Sequence, residues 1–132
     1  MKRFDRLIFV SNSDTYMGPM AKGIMRSKYL LSDLDVDSRG LVVLFPEPAN
    51  PKAEAVMEMH EQSLKDHAAE ALQESDFDER TLILAVNEES QRKIFENYEN
   101  AQNVFSAFKL CEQYGRDQRS LWRFSGRLWS LL

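Results

Sequence analysis

Polar residues with turn and cap chemistry fill a short stretch between an apolar run and a helical pattern. The apolar run, Leu7 to Val10, predicts a buried strand, and Pro19 stands where the first turn of a helix accepts proline. A loop at a helix N-terminus presents backbone N–H groups and the positive end of the helix dipole. The stretch therefore predicts an anion-binding loop made of Ser11, Asn12, Ser13, Asp14, Thr15, Tyr16, Met17 and Gly18.

Strands and helices alternate along the rest of the chain and must position this loop. Apolar runs predict four strands, near residues 5–11, 38–45, 81–86 and 103–108. Residues 32–37 are polar and predict a turn. Alternation with helices indicates a parallel sheet with right-handed crossovers. We therefore predict an α/β fold of three layers, a four-stranded parallel sheet flanked by helices, in a single domain over residues 1–132, with the loop at the carboxyl ends of the strands.

The helices between these strands carry recognisable start signals. One helix follows the loop, a second is predicted from Lys52 to about Gln62 after a cap at Asn50, and a third follows a cap at Asn87. The third helix is predicted to bury one face made of Ile94, Phe95 and Tyr98.

Three short motifs resemble the low-molecular-weight protein tyrosine phosphatases. They are Pro19-Met20-Ala21-Lys22 after the loop, Asn50-Pro51 at the second helix, and Leu82-Ile83-Leu84 in the third strand. In that family the loop reads C-x5-R-[ST] and usually continues Pro-Met-Ala-Glu. The resemblance covers roughly residues 6–115 and implies the phosphatase-like form of the predicted fold.

The resemblance places the family's functional positions on residues with different chemistry. The nucleophilic cysteine falls on Ser11, the phosphate-clamping arginine on Met17 and the serine after it on Gly18. The structural asparagine of the loop falls on Asp14. The family's general-acid aspartate, in Asp-Pro-[Tyr/Phe]-Gly, falls on Glu112, for which we expect no catalytic role because the rigidifying proline is missing.

These replacements remove the chemistry that such a phosphatase needs. Ser11 cannot supply a thiolate, and its hydroxyl is a weak nucleophile without a base. Neither histidine lies in the loop, and His67 is predicted to be a hydrogen-bonded structural residue. Met17 offers no charge or donor to transferring phosphoryl oxygens. Asp14 adds a carboxylate near the anion, although a hydrogen-bonded Asp could also hold the loop in shape.

Composition excludes several other classes of protein and site. The net charge of −4 argues against nucleic acid as a main partner, because phosphate backbones bind clustered Lys and Arg. One cysteine, Cys111, cannot form an internal disulfide, and two histidines cannot complete a zinc-type ligand set. We expect no metal or cofactor, no membrane span, and a cytoplasmic location.

The segment 116–132 predicts a terminal helix with an apolar face and a basic face. Trp122, Trp129 and three leucines share the apolar face, which we predict packs on the sheet or on a second copy of the chain. The alternative is a docking surface for an acidic protein partner or an anionic membrane surface.

Two functions remain after this reasoning, beside a third possibility, a decayed gene product whose role is a protein contact. The first is a pseudophosphatase, a catalytically inactive relative that acts as a binding or regulatory module and holds phosphate or sulfate only weakly in the 11–18 loop. The second is a phosphatase or arsenate reductase-like enzyme with residual or altered activity on a small phosphorylated substrate or a phosphoprotein.

Overall fold

The computed structural model describes residues 4–28 and 34–106, which form a parallel sheet with helices on both faces. Within these ranges the elements are β1 (Arg6–Ser11), α1 (Met17–Lys28), β2 (Asp35–Gly40), α2 (Pro51–Met59), β3 (Thr81–Ala85), α3 (Glu88–Asn97) and β4 (Val104–Ser106). The strand order is β2-β1-β3-β4 and every pair is parallel, so the predicted fold class is confirmed.

Alternate residues of β1 pack on opposite faces of the sheet, which produces the three layers. Leu7 and Phe9 lie in a core cluster with Ala21 and Met25 of α1. Ile8 and Val10 lie in a second cluster that includes Ile94 of α3. Because successive side chains of a strand point to opposite faces, one apolar strand supports both layers.

The second strand lies earlier in the chain than predicted. The strand predicted over residues 38–45 was right at residues 38–40 and wrong at 41–45, because β2 is Asp35–Gly40 and pairs with the whole of β1. The turn predicted over 32–37 was wrong at residues 35–37, which belong to this strand. Of the apolar run that follows it, Val42, Leu44 and Phe45 are 59%, 90% and 59% exposed. Apolar composition suggested a buried strand, but the run lies outside the sheet.

Ion pairs allow the polar segment to form that strand. Arg39 is buried, and its Nη1 lies 2.9 Å from Asp37 Oδ2 while its Nε lies 3.4 Å from Asp76 Oδ2. Arg6 of β1 also contacts both carboxylates, at 3.4 Å and 3.3 Å. Since buried charges are tolerated when they are paired, this network replaces apolar burial on part of the edge strand.

The predicted helix caps are confirmed, and two details of the helices were wrong. Asn50 Oδ1 accepts a hydrogen bond from Lys52 N–H and Asn87 Oδ1 accepts one from Ser90 N–H, each at 2.8 Å. The helix after Asn50 ends at Met59, not near residue 62. In α3 Ile94 is buried, whereas Phe95 is 54% exposed.

Some sequence predictions lie outside the described residues. They concern Glu112, Cys111 and the segment 116–132 with its two tryptophans. Within residues 4–28 and 34–106, no helix has both the length and the apolar character that a membrane span requires.

Candidate anion-binding loop

The 11–18 loop joins the carboxyl end of β1 to the first turn of α1. Ser11 is the last residue of β1, Met17 is the first of α1, and the first helical hydrogen bond runs from Met20 N–H to Tyr16 O at 3.2 Å. Pro19 lies in the first turn of α1, as predicted. The loop is therefore at the edge of the sheet where ligands of parallel α/β folds bind.

Neighbouring segments hold the outside of the loop through its carbonyl groups. Asn12 O accepts from Val42 N–H at 2.8 Å, and Thr15 O accepts from Asn50 N–H at 2.7 Å. The N–H groups of Ser13, Thr15 and Tyr16 have no acceptor among the described residues. Carbonyl groups are thus used in holding the loop, while N–H groups are left for a ligand, which is the arrangement of a backbone anion site.

Ser11 occupies the base of the loop. It is 7% exposed, and its Oγ accepts a hydrogen bond from Asp14 N–H at 3.1 Å. A Cβ placed on Gly18 would lie 3.2 Å from both Ser11 Oγ and Asp14 Oδ1. Glycine at this position therefore lets the start of α1 approach the polar base closely.

Asp14 is turned underneath the loop. It is fully buried with φ of 58°, and its Oδ2 accepts a hydrogen bond from Glu70 N–H at 3.1 Å. This agrees with the alternative that an Asp here holds the loop in shape. Such a left-handed conformation is one that Asn and Asp adopt more readily than most residues.

The carboxyl group of Asp14 has an unusual environment. Burial raises its pKa above the usual value, although the nearby Ser38 hydroxyl, the Glu70 N–H and the charge of Lys22 oppose the rise. Within the described residues, Asp14 Oδ1 and Ser38 Oγ are both buried without a well-placed hydrogen-bond partner. The Ser38 hydroxyl can donate to the Asp14 carboxyl group, and a protonated Asp14 would resemble an asparagine amide.

His67 holds the loop from below, as predicted for a structural histidine. Its Nε2 lies 2.6 Å from the carbonyl oxygen of Asp14, which can only accept, so Nε2 carries the proton. Its Nδ1 lies 2.8 Å from Lys22 Nζ and accepts from that ammonium group. Both ring nitrogens are therefore engaged, and the ring is not free to take a proton from Ser11.

Three partners of the loop were missed from the sequence. Lys22, Ser38 and the backbone of Glu70 all support Asp14 or His67. Lys22 carried a visible signal, because it replaces the glutamate that is usual after Pro-Met-Ala, but the sequence did not show its partner. Within the part of the chain that the structure describes, no group of three or more His, Cys, Asp or Glu residues is placed to hold a metal ion.

Met17 brings no charge to the loop. Its side chain is half-buried and packs beside the cluster between α1 and α2. Glu112 lies outside the described residues, so the structure gives no position for it.

Comparison with known proteins gives a single answer about the fold. The chain matches the family model described as "Low molecular weight phosphotyrosine protein phosphatase" over residues 6–122. A low molecular weight protein tyrosine phosphatase from T. tengcongensis is 26% identical, with a TM-score of 0.82, and the match covers 96% of this chain and 99% of that chain. No curated protein matches the chain.

Two further solved structures share the fold at lower identity. The tyrosine phosphatase Wzb from Escherichia coli K30, in complex with sulphate, is 18% identical, with a TM-score of 0.77 and coverage of 95% of this chain and 96% of that chain. A mutant of the YwlE arginine phosphatase with a phosphorylated active-site serine is 20% identical, with a TM-score of 0.71 and coverage of 93% and 88%.

Proposed function

Because this chain belongs to the low molecular weight phosphotyrosine protein phosphatase family, we propose that it is an inactive member that keeps the loop as a weak oxyanion-binding module. The observation that carries the proposal is the base of the loop, where a serine hydroxyl stands in place of a thiolate. Ser11 Oγ accepts from Asp14 N–H, and His67 has no free nitrogen to act as its base. A neutral serine without a base is a poor nucleophile toward phosphorus.

Loss of the arginine removes stabilisation of the transition state. Met17 has neither charge nor donor. Among the described residues, no Lys or Arg makes a hydrogen bond to a loop side chain in its place. Removing one preorganised donor typically costs about 100- to 1,000-fold in rate. Together with the missing thiolate, this loss accounts for the inactivity we propose.

Weak anion binding follows from what the loop keeps. The N–H groups of Ser13, Thr15 and Tyr16 and the N-terminus of α1 favour an oxyanion. Without an Arg–phosphate pair, which contributes about 1.5 to 3 kcal/mol, we expect a millimolar dissociation constant for inorganic phosphate. The sulphate in the Wzb structure supports an oxyanion as the ligand class.

Calorimetry with inorganic phosphate tests this proposal. Met17→Arg should tighten phosphate binding by about 10- to 150-fold, the range that corresponds to one such pair. Met59→Arg places the same charge on the exposed end of α2 and should leave phosphate binding unchanged. A micromolar dissociation constant for the unmodified chain, or no gain from Met17→Arg, would contradict the proposal.

A second candidate is an enzyme with residual activity that passes through phosphorylated Ser11. The phosphorylated serine of the YwlE mutant supports it, because that protein also has serine in its active site. Incubation with an aryl phosphate followed by intact-mass measurement separates the two candidates. We expect no phosphoryl adduct. An adduct that Ser11→Ala abolishes would favour the second candidate.

A further inference from the structure

A recess outside the 11–18 loop opens between α1 and the segment 62–67. Its volume is about 480 Å³, and its polar lining includes Lys22, Arg26, Gln62, Ser63, Asp66 and His67. None of its lining residues belongs to the loop. The volume lies in the range of about 300 to 1,000 Å³ that small-molecule sites occupy, so the recess exceeds the size of a single inorganic ion.

Two cations on α1, Lys22 and Arg26, line this recess. Lys22 and Arg26 are one helical turn apart, and neither forms an ion pair with a carboxylate in residues 4–28 and 34–106. Burial, and to a smaller extent the charge of Arg26, lower the pKa of Lys22, although the charges of Asp37, Asp14 and Glu70 oppose this shift. An anion between the two side chains would offset their mutual repulsion and the cost of burying the charge of Lys22.

The two cations are also oriented for binding. Arg26 Nε donates to Val36 O at 2.9 Å, which fixes the guanidinium group, and its two terminal amino groups make no hydrogen bond to residues 4–28 or 34–106. Lys22 uses one ammonium proton for His67 Nδ1 and has two more. The lining holds two cations, Lys22 and Arg26, and one carboxylate, Asp66, so it carries a net positive charge.

We propose that this recess, the α1 recess, binds a small organic anion whose phosphate or carboxylate group lies between Lys22 and Arg26. The remaining lining, which includes Leu64 and the Gly23 backbone, accommodates the organic part of the ligand. No residue of the 11–18 loop lines this site, although Lys22 and His67 of its lining also support Asp14 of the loop. The site does not depend on the function proposed above.

Amide NMR of the full chain distinguishes the two sites. Sodium phosphate and sodium acetate are titrated separately as probes of the two anionic groups. We expect a saturable shift of the Gly23 amide, in the α1 recess, with a millimolar dissociation constant for at least one probe. The better probe identifies the anionic group as phosphate or carboxylate. The Gly18 amide reports on the loop.

Variants assign the response to the proposed residues. Lys22→Gln and Arg26→Gln should each weaken the Gly23 response about tenfold or more, whereas Lys22→Arg should retain it because the charge remains. Lys52→Gln, an equal charge change on exposed α2, is the matched control and should have no effect. Ser13→Glu adds a charge at the exposed edge of the loop and should weaken the Gly18 response only.

Two results would overturn the α1 recess as an anion site. One is the absence of a saturable Gly23 shift for both probes up to about 20 mM. The other is unchanged affinity in folded Lys22→Gln and Arg26→Gln proteins. Either result could be obtained while the Gly18 response remains. The experiment can therefore contradict anion binding in the α1 recess without contradicting anion binding in the loop, and the reverse also holds.

Discussion

At the scale of single residues, the loop depends on one buried carboxyl group. Asp14 accepts from Glu70 N–H through Oδ2, while Oδ1 and the Ser38 hydroxyl both lack a well-placed partner within the described residues. Its pKa is raised chiefly by burial. Folding therefore takes up a proton on this group over the pH range between the unfolded value of 3.8 and the raised native value.

Asp14→Asn should stabilise the protein at neutral pH. Because the native pKa is raised, the wild-type free energy of unfolding falls as pH rises from 3.8 through the native pKa, and the asparagine variant lacks this loss. The advantage of the variant should grow across that window and then stay constant. Urea denaturation measured at a series of pH values checks this expectation.

The control for this series is Asp66→Asn, which removes an exposed carboxylate. It should change the free energy of unfolding little. If Asp14→Asn were less stable than the wild type at pH 7, the charged carboxylate would be a favourable part of the fold, and our view of Asp14 would be wrong.

The chemistry of the loop side chains could be predicted from the sequence because it depends only on residue type. Serine and methionine cannot act as thiolate and guanidinium in any fold, so the chemical interpretation of Ser11 and Met17 needed no coordinates. The position of Asp14 under the loop did need them, because its partners, Glu70 and His67, come from a segment more than fifty residues away. Lys22 was visible in the motif, but its contact with His67 was not.

At the scale of elements, β2 shows how charge pairing can override apolar patterning. The sheet continues through Asp35–Gly40 because Arg39 and Arg6 pair with Asp37 and Asp76. The strands predicted at β1 and β3 agreed closely with the structure because each is an apolar run in the core. The strand predicted at β4 also forms, although only Val104 of it is buried. The apolar run after β2 misled the prediction, since no periodicity distinguishes a buried strand from an exposed apolar segment of the same length.

Arg39→Met should destabilise the protein by about 3 to 5 kcal/mol. The substitution leaves the buried carboxylate of Asp76 and the half-buried carboxylate of Asp37 with Arg6 as their remaining cation. Removing one partner of a buried ion pair costs about this much. Arg80→Met removes an exposed Arg–Asp5 pair at 2.8 Å and is the control, for which we expect little change. Equal melting of both variants and the wild type would show that the Arg39 network does not hold β2.

The exposed run after β2 leads to a separate expectation. Leu44→Ser should leave the free energy of unfolding within about 0.5 kcal/mol of wild type, because the side chain is 90% exposed. Leu84→Ala, in the fully buried β3, should cost about 2 to 5 kcal/mol. Thermal or urea denaturation gives both values. A large loss of unfolding free energy in Leu44→Ser would show that Leu44 is part of the core.

At the scale of the whole molecule, the family fold is present, and the inactivity that we propose rests on a few residues of one loop. The match spans residues 6–122, and the parallel sheet places the 11–18 loop at the carboxyl ends of its strands, where ligands of such folds bind. Fold is set by many apolar positions, whereas turnover depends on a few side chains, so the first can persist when the second is lost. An inactive loop on an intact scaffold is therefore physically consistent.

Aryl phosphate hydrolysis by the unmodified protein tests the central claim most directly, with Ser11→Ala as the matched variant. If the loop binds oxyanions without catalysis, both proteins should release phosphate at the same rate as buffer alone. The Ser11→Cys and Met17→Arg double variant provides a positive comparison, since it restores the thiol and the guanidinium. A wild-type rate above the buffer rate that Ser11→Ala removes would contradict the claim and identify the protein as an active phosphatase.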